Sequence, residues 1–415
     1  MKKFLIYIRL DKVQLTAFDR WFLIVFFFLS IFGDFIANDK PIIYKKEGQW
    51  SMPIFAEYLS SFKWNQKSGA INQDWHAMDY DFLIRTPVPY SASYIDLKNS
   101  KFISPLASQD VKNLYYRHWL GTDSIGRDVL AGLIHGCRIA FIIGFLSTLF
   151  ALLIGLPLGT AMGYWGNQQL KTSLPGCLVI IVGGLLIFAG CLVAFQLFLR
   201  DIYPLWQVLL FMIIVASILT LFYFFLKNRL DLFKRFPKSI AIPLDHLGMR
   251  IIEILRSIPG LFLVLACLGL MVRPSVFFIS FLIGFIRWPT IARYVRAEVM
   301  KVKSMGYIKS AETLGLSRSQ IVFRHMLPNA LSPVLVTIAF GFSSAILVES
   351  ALSFLGLGLS IEEMSWGKLL NQARNDFDAW WLVFFPGMMI FLTIYVFNRI
   401  GSRVNAIFNP RLGTE

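Results

Sequence analysis

Long apolar runs separated by short basic segments set the pattern of this chain. The runs cover 21–36, 139–164, 174–199, 204–226, 251–272, 275–291, 331–352 and 381–400. Each is close to the ~20 residues that a helix needs to cross a bilayer. Between the runs at 275–291 and 331–352 the pattern changes. Ile308, Ala311 and Leu314 recur at helical spacing, and Gly315 comes directly after, a residue suited to a left-handed C-terminal cap. Ser317 with Gln320 three positions on forms a capping box for a second helix. Ile321 and Val322 give that helix an apolar face, and Pro328 stands where it should stop. The stretch predicts a helix–turn–helix hairpin against the cytoplasmic ends of the spans.

Charge fixes the expected orientation. Segments 1–20, 166–173, 227–250, 292–329 and 399–415 hold most of the Lys and Arg, whereas the short connections of the opposite set hold only Arg200, Arg273, Lys368 and Arg374; the long 38–137 loop does not bear on orientation. By the positive-inside rule both termini and the 292–329 segment face the cytoplasm. The net charge of +15 therefore reads as topology and not as a nucleic-acid surface, for which no aromatic-interleaved basic face occurs. Charged residues make up 16% of the chain and the mean hydropathy is +0.61, against about 25% charged in soluble domains. No small-x-small cleavage site succeeds the run at 21–37, which favours an uncleaved anchor over a cleaved signal.

Residues 38–137 are polar and rich in Trp and Tyr, and form an expected extracytoplasmic folded loop. Within it "RTPVPYSASY" reads as extended chain and turn, since each proline biases its predecessor towards extended geometry. The loop ends in "TDSIGRD", where Thr122, Asp123, Gly126, Arg127 and Asp128 suggest a short interfacial helix capped by Thr122. Trp119 fits an aromatic belt.

Catalytic chemistry has no candidate. There is no phosphate-binding G-x-x-x-x-G-K-[ST] loop and no H-E-x-x-H pair, and the five histidines are scattered. Neither a metal site nor a cofactor is expected. The four cysteines lie in or beside apolar runs without a C-x-x-C pair and read as buried thiols. Glu253 and Arg256 are spaced for an i, i+3 ion pair at the cytoplasmic interface, and Arg287 is placed near a cytoplasmic end, where it can snorkel. Glu349 lies deep in the 331–352 run, where a carboxylate either pairs inside the bundle or lines a substrate path.

The hairpin resembles the EAA loop of ABC-importer permeases, with Lys309-Ser310-Ala311, Gly315 and Leu327-Pro328 in the matching places. Lys309 and Ser310 depart from the usual Glu and Ala. "HWLGTDSIGRDVLAGLIHGCRIAF", "ILVESALSFLGLGLS", "SWGKLL" and "FNPRL" are similar to the C-type permeases of dipeptide, oligopeptide and nickel importers, over roughly 118–170 and 245–412. The resemblance implies an all-α integral membrane fold: a six-helix type I ABC-importer core, made of the first span at 21–37 and a permease domain at 138–412, with a coupling loop at 303–328. To this are added a two-helix hairpin inserted at 174–226 and the long loop after the first span. An even number of inserted spans leaves downstream topology unchanged.

The resemblance also implies a function. The chain would be an inner-membrane permease subunit that carries peptides, or a related solute such as nickel. ATP would be bound by two separate ATPase subunits or domains docked on the hairpin. A related B-type permease and an extracytoplasmic solute-binding protein would complete the assembly. The alternative is an ion-gradient-driven secondary transporter, which would favour broken helices and a mid-membrane carboxylate.

Overall fold

The computed structural model describes residues 15–56, 75, 80–169, 171–172, 240–269, 274–359 and 363–408. The expected spans 174–199 and 204–226 lie outside the described residues. The described residues are mostly helical: α1 Ala17–Ile36, α2 Val129–Trp165, α3 Leu244–Ser257, α4 Gly260–Gly269, α5 Val276–Lys303, α6 Gly306–Thr313, α7 Leu327–Phe354, α8 Trp366–Gln372 and α9 Trp381–Phe408. Strands β1 Ile43–Lys46, β2 Gln49–Ser51 and β3 Phe82–Ile84 form an antiparallel sheet in the order β2-β1-β3 between α1 and α2. The "RTPVPYSASY" stretch is extended, with a turn and one bridge, Ala37 to Val88.

Among the described residues, α2, α5, α9 and the Val334–Phe354 part of α7 are long and apolar enough to cross a membrane. The pair α3 and α4 makes a fifth span if counted together, bent by 74°. That bend corrects the continuous run expected at 251–272. Pro259 bars helical geometry at the residue before it, and Ile258 accordingly sits at φ −90°, ψ 123°. Several helices also outrun their apolar stretches, since polar residues continue a helix beyond the bilayer: α5 reaches Lys303 and α9 reaches Phe408.

The helix at the first expected span, α1, carries Asp19, Arg20 and Asp34 near its ends, which shortens its apolar stretch. The carboxylates are paired. Arg138 Nη2 donates to Asp34 at 2.7 Å, and Asp19, fully buried, lies 3.2 Å from Arg399.

Two compact units emerge. The first holds α1, the sheet, the start of α2, the start of α5, most of α7, α8 and α9. Its core centres on Trp366, whose indole Nε1 donates to the Leu133 carbonyl at 3.0 Å. Gly136 faces that ring so closely that a Cβ there would lie 2.4 Å from it. Phe26, Phe342, Ile346 and Trp381 complete the cluster.

The second unit holds the end of α2, α3, α4, the rest of α5, and α6 with the turn after it. Gly159 and Gly163 let α2 meet α5: added Cβ atoms would lie 2.5 Å from the Ala292 carbonyl and 2.9 Å from the Arg296 carbonyl. This is the small-xxx-small spacing by which membrane helices approach closely. Arg296 grips the Asp245 carboxylate of α3 with two nitrogens, Nη2 to Oδ2 at 2.6 Å. Short strands β4 Lys171–Thr172 and β5 Ile240–Ala241 pair antiparallel.

The expected Glu253–Arg256 pair is replaced by Arg250–Glu253, at 2.8 Å and solvent-exposed. Arg256 stands in the last turn ahead of the break.

Candidate functional site

The hairpin begins with α6. Its C-terminus closes as a Schellman motif: Leu316 N–H donates to the Ala311 carbonyl at 3.3 Å and Gly315 N–H to the Glu312 carbonyl at 3.1 Å. Gly315 has φ +76°, the left-handed conformation read from its place in the sequence. The capping box is also present: Ser317 Oγ accepts from Gln320 N at 3.3 Å, and Gln320 Oε1 accepts from Ser317 N at 3.0 Å.

The second arm of the hairpin differs from expectation. A helical turn, Arg318–Gln320, runs through a π-helical turn, Ile321–Met326, straight into α7. Pro328 does not stop the helix but sits in the first turn of α7, where a missing N–H is tolerated. The wide turn ahead of it has already interrupted the α ladder, and Leu327 N–H bonds to the Val322 carbonyl instead.

The hairpin has two faces. Ile308, Ala311, Ile321, Val322 and Met326 are buried, and Asn329 Nδ2 donates to Tyr307 Oη at 2.9 Å across its base. Lys309, Ser310, Gly315 and Ser317 are exposed, and Leu327 and Pro328 are half-buried. Of the candidate coupling residues, Ala311 is thus a packing residue. The most exposed apolar side chains of the hairpin are ones the motif does not name, Leu314 at 81% and Phe323 at 67% exposure. Exposed Lys309, Glu312, Arg318 and Arg324 surround them.

Before α2 the "TDSIGRD" stretch is a tight turn, not a short helix. Thr122 and Asp128 form an antiparallel bridge, and Gly126 has φ +91°. Asp123 Oδ1 accepts from Ile125 N at 3.0 Å and Arg127 N at 2.8 Å, the local bonding by which Asp competes with helix formation. The cap of α2 is Asp128, whose Oδ1 accepts from Ala131 N at 2.7 Å. Thr122 braces the loop, accepting from Ile103 N at 3.0 Å and donating to the Asn99 carbonyl at 2.7 Å. All of Thr122, Asp123, Arg127 and Asp128 are buried, which makes this stretch a structural knot. Trp119 is 57% exposed beside it.

Residues with no motif of their own complete the knot. His118 is buried between two carboxylates, Nδ1 at 2.8 Å from Asp128 and Nε2 at 3.4 Å from Asp96, and stacks on Tyr90 at 4.2 Å. Burial alone would lower the His118 pKa, but the hydrogen bonds and charges of Asp128 and Asp96 outweigh it and raise the value. Burial likewise opposes the ionised Asp96, yet its bonds from His118 and Asn99 hold it down at about 2. Lys368 of α8 is pushed down to about 8 by burial and by the neighbouring Arg127 charge.

Glu349 is enclosed in α7, 2% exposed, with Ser353 donating to it at 2.7 Å. Arg287, expected at a helix end, stands mid-helix in α5, because α5 continues to Lys303.

Residues 239–414 match the model of the family described as binding-protein-dependent transport system inner membrane component. Over those residues the chain is similar to that family. The chain is 28% identical over 398 residues, 94% of its length and 92% of the relative's, to the inner membrane ABC transporter permease protein YejE of Escherichia coli (strain K12). It is 26% identical over 94% of its length, and 88% of the relative's, to the peptidoglycan transport system permease protein YejE of Agrobacterium fabrum. A dipeptide transport system permease protein, DppC of Alkalihalophilus pseudofirmus, is 26% identical over 76% of this chain and 79% of that one. This chain's apolar helices and these relatives are those of a multi-pass membrane protein.

Proposed function

We propose that this permease is one of two related transmembrane subunits of an ABC importer for peptides. In this reading the 306–326 hairpin docks a separate ATPase subunit or domain, and an extracytoplasmic solute-binding protein delivers the substrate. The observation that carries the reading is the hairpin itself: a rigid, doubly capped element with an exposed apolar tip, in the family-matched part of the chain. An exposed apolar patch with a charged surround is the chemistry of a protein contact. Peptides lead over nickel because the relatives are named for a dipeptide and for peptidoglycan, a peptide-bearing polymer.

Lys309, Ser310, Leu314, Ser317 and Phe323 would meet the ATPase directly. Ala311, Gly315, Leu327 and Pro328 would shape the hairpin. With the hairpin cytoplasmic, α1 starts and α9 ends on the cytoplasmic side, where Asp19 meets Arg399, and the 38–137 loop lies outside. The six-helix core is then α1, α2, the α3–α4 pair, α5, α7 and α9. The insert between β4 and β5 is an accessory whose removal would spare ATPase docking.

Uptake of radiolabelled peptides tests the reading. Cells lacking this gene should lose uptake and regain it with the wild-type chain. Uptake that survives deletion of the ATPase gene but collapses with the proton gradient would favour a gradient-driven transporter instead.

A further inference from the structure

Three helices of the first unit come together around Arg287. It stands 11 residues into the 28-residue α5, about 16 Å along its axis. A bilayer core is ~30 Å thick and the apolar run of α5 ends near 291, so the guanidinium lies inside the span, in its cytoplasmic half. Its contacts lie within the span too. Nη1 donates to the Gly341 carbonyl and, at 2.8 Å, to Ser344 Oγ, both midway along α7. Thr148, midway along α2, has its Oγ1 3.6 Å from the place a Gly341 Cβ would occupy.

Both acceptors are neutral. Among the described residues no carboxylate pairs with Arg287, and neither Nε nor Nη2 makes a hydrogen bond. A cation at this depth is costly, and such residues mark substrate pathways when no partner neutralises them. The geometry adds a direction. With Nη1 fixed, the Nε and Nη2 edge stays open, and its two parallel N–H groups form the fork that grips a carboxylate bidentately. Gly341 makes the room: a Cβ there would lie 3.0 Å from Nη2.

We propose that the open edge of Arg287 is an intramembrane binding site for the carboxylate of a peptide in transit. The proposal rests on the peptide reading above. A peptide at neutral pH carries a C-terminal carboxylate, and losing water inside the span makes a fixed cation more valuable to it, since charge pairing strengthens as the dielectric falls. Arginine suits the task because it stays charged when desolvated.

The test uses the purified permease complex with its ATPase, without the solute-binding protein, and measures binding of radiolabelled trialanine. Unlabelled trialanine should compete about tenfold or more better than its C-terminal amide, the worth of one charge-assisted pair. Arg287→Gln should compete acid and amide equally, and Arg287→Lys should keep part of the preference, with ATPase co-purification normal in both. A wild-type complex that shows no saturable binding, or binds acid and amide alike, overturns the site. The latter is the outcome if a carboxylate of the partner permease fills the fork. A preference that survives in Arg287→Gln overturns it too. These results leave the peptide reading standing, since that rests on cellular uptake; absence of any peptide uptake by wild type defeats both.

Discussion

Replacing Gly315 by valine should abolish uptake while leaving the chain in the membrane. Nothing lies within 4 Å of a Cβ built at Gly315, so no clash complicates the result. The cost is purely conformational. At φ +76° a residue with a side chain costs about 1 kcal/mol or more, and a β-branched one is a rarer occupant still. That conformation closes the Schellman motif and turns the chain from α6 into the capping box at Ser317. A hairpin that opens there loses the fixed relation between its exposed tip and α7. Uptake should fall by more than about tenfold, the equivalent of ~1.4 kcal/mol, with membrane abundance unchanged. Gly315→Ala should show a smaller loss. Normal uptake by a well-expressed Gly315→Val variant would sink the account of the hairpin.

The second large effect lies at the knot before α2. Asp128→Ala removes the N-cap of α2, worth about 1 kcal/mol, and strips a buried imidazolium of its nearer carboxylate, a loss of about 3–5 kcal/mol. Thermal unfolding in detergent should show it, and uptake should fall with the amount of folded protein. The same triad predicts a pH profile. The folded His118 pKa is raised above its ordinary 6.5, so its contribution is full below 6.5 and is lost as pH rises through the raised value. Asp96 is held down from 3.8 to about 2, so its contribution is present above 3.8 and is lost as pH falls towards 2. Stability should therefore decline on the alkaline side, and His118→Gln should flatten that decline. An unchanged slope in His118→Gln would assign the pH dependence elsewhere.

Local rules made the hairpin legible in the sequence. Helical spacing, a glycine where a left-handed cap is needed and a serine three residues before a glutamine act over a few residues, so each could be read without the fold. Pro328 was read wrongly for the same reason. Its usual effect is to end a helix, but position decides: in the first turn of α7 it ends nothing. Pro259, by contrast, does break the chain's direction inside an apolar run, because the residue before it is forced out of the helix. The run of Ile and Leu across the break hid it, although α3 carries Arg250, Glu253 and Arg256 before Pro259 and α4 carries no charge after it. The knot was illegible because His118 finds its partners by tertiary folding, Asp96 from 22 positions upstream. The glycines at 159 and 163 did carry a signal, the small-xxx-small spacing, that hydrophobic periodicity passes over. Arg287 lies mid-helix because the helix extends 12 residues past the apolar run's end at 291, a polar continuation that apolarity does not report.

The most direct test of the central claim is a purification. The chain would be expressed with its neighbouring genes and extracted in mild detergent, beside a Leu314→Glu variant. Leu314 is chosen because it is 81% exposed at the hairpin tip, where a charge spares the packing that a change at buried Ala311 would disturb. The account predicts that an ATPase co-purifies with wild type and is lost with the variant, at equal yield and thermal stability of the permease. An ATPase retained equally by both, or found with neither, would contradict the claim that this hairpin couples the permease to its engine.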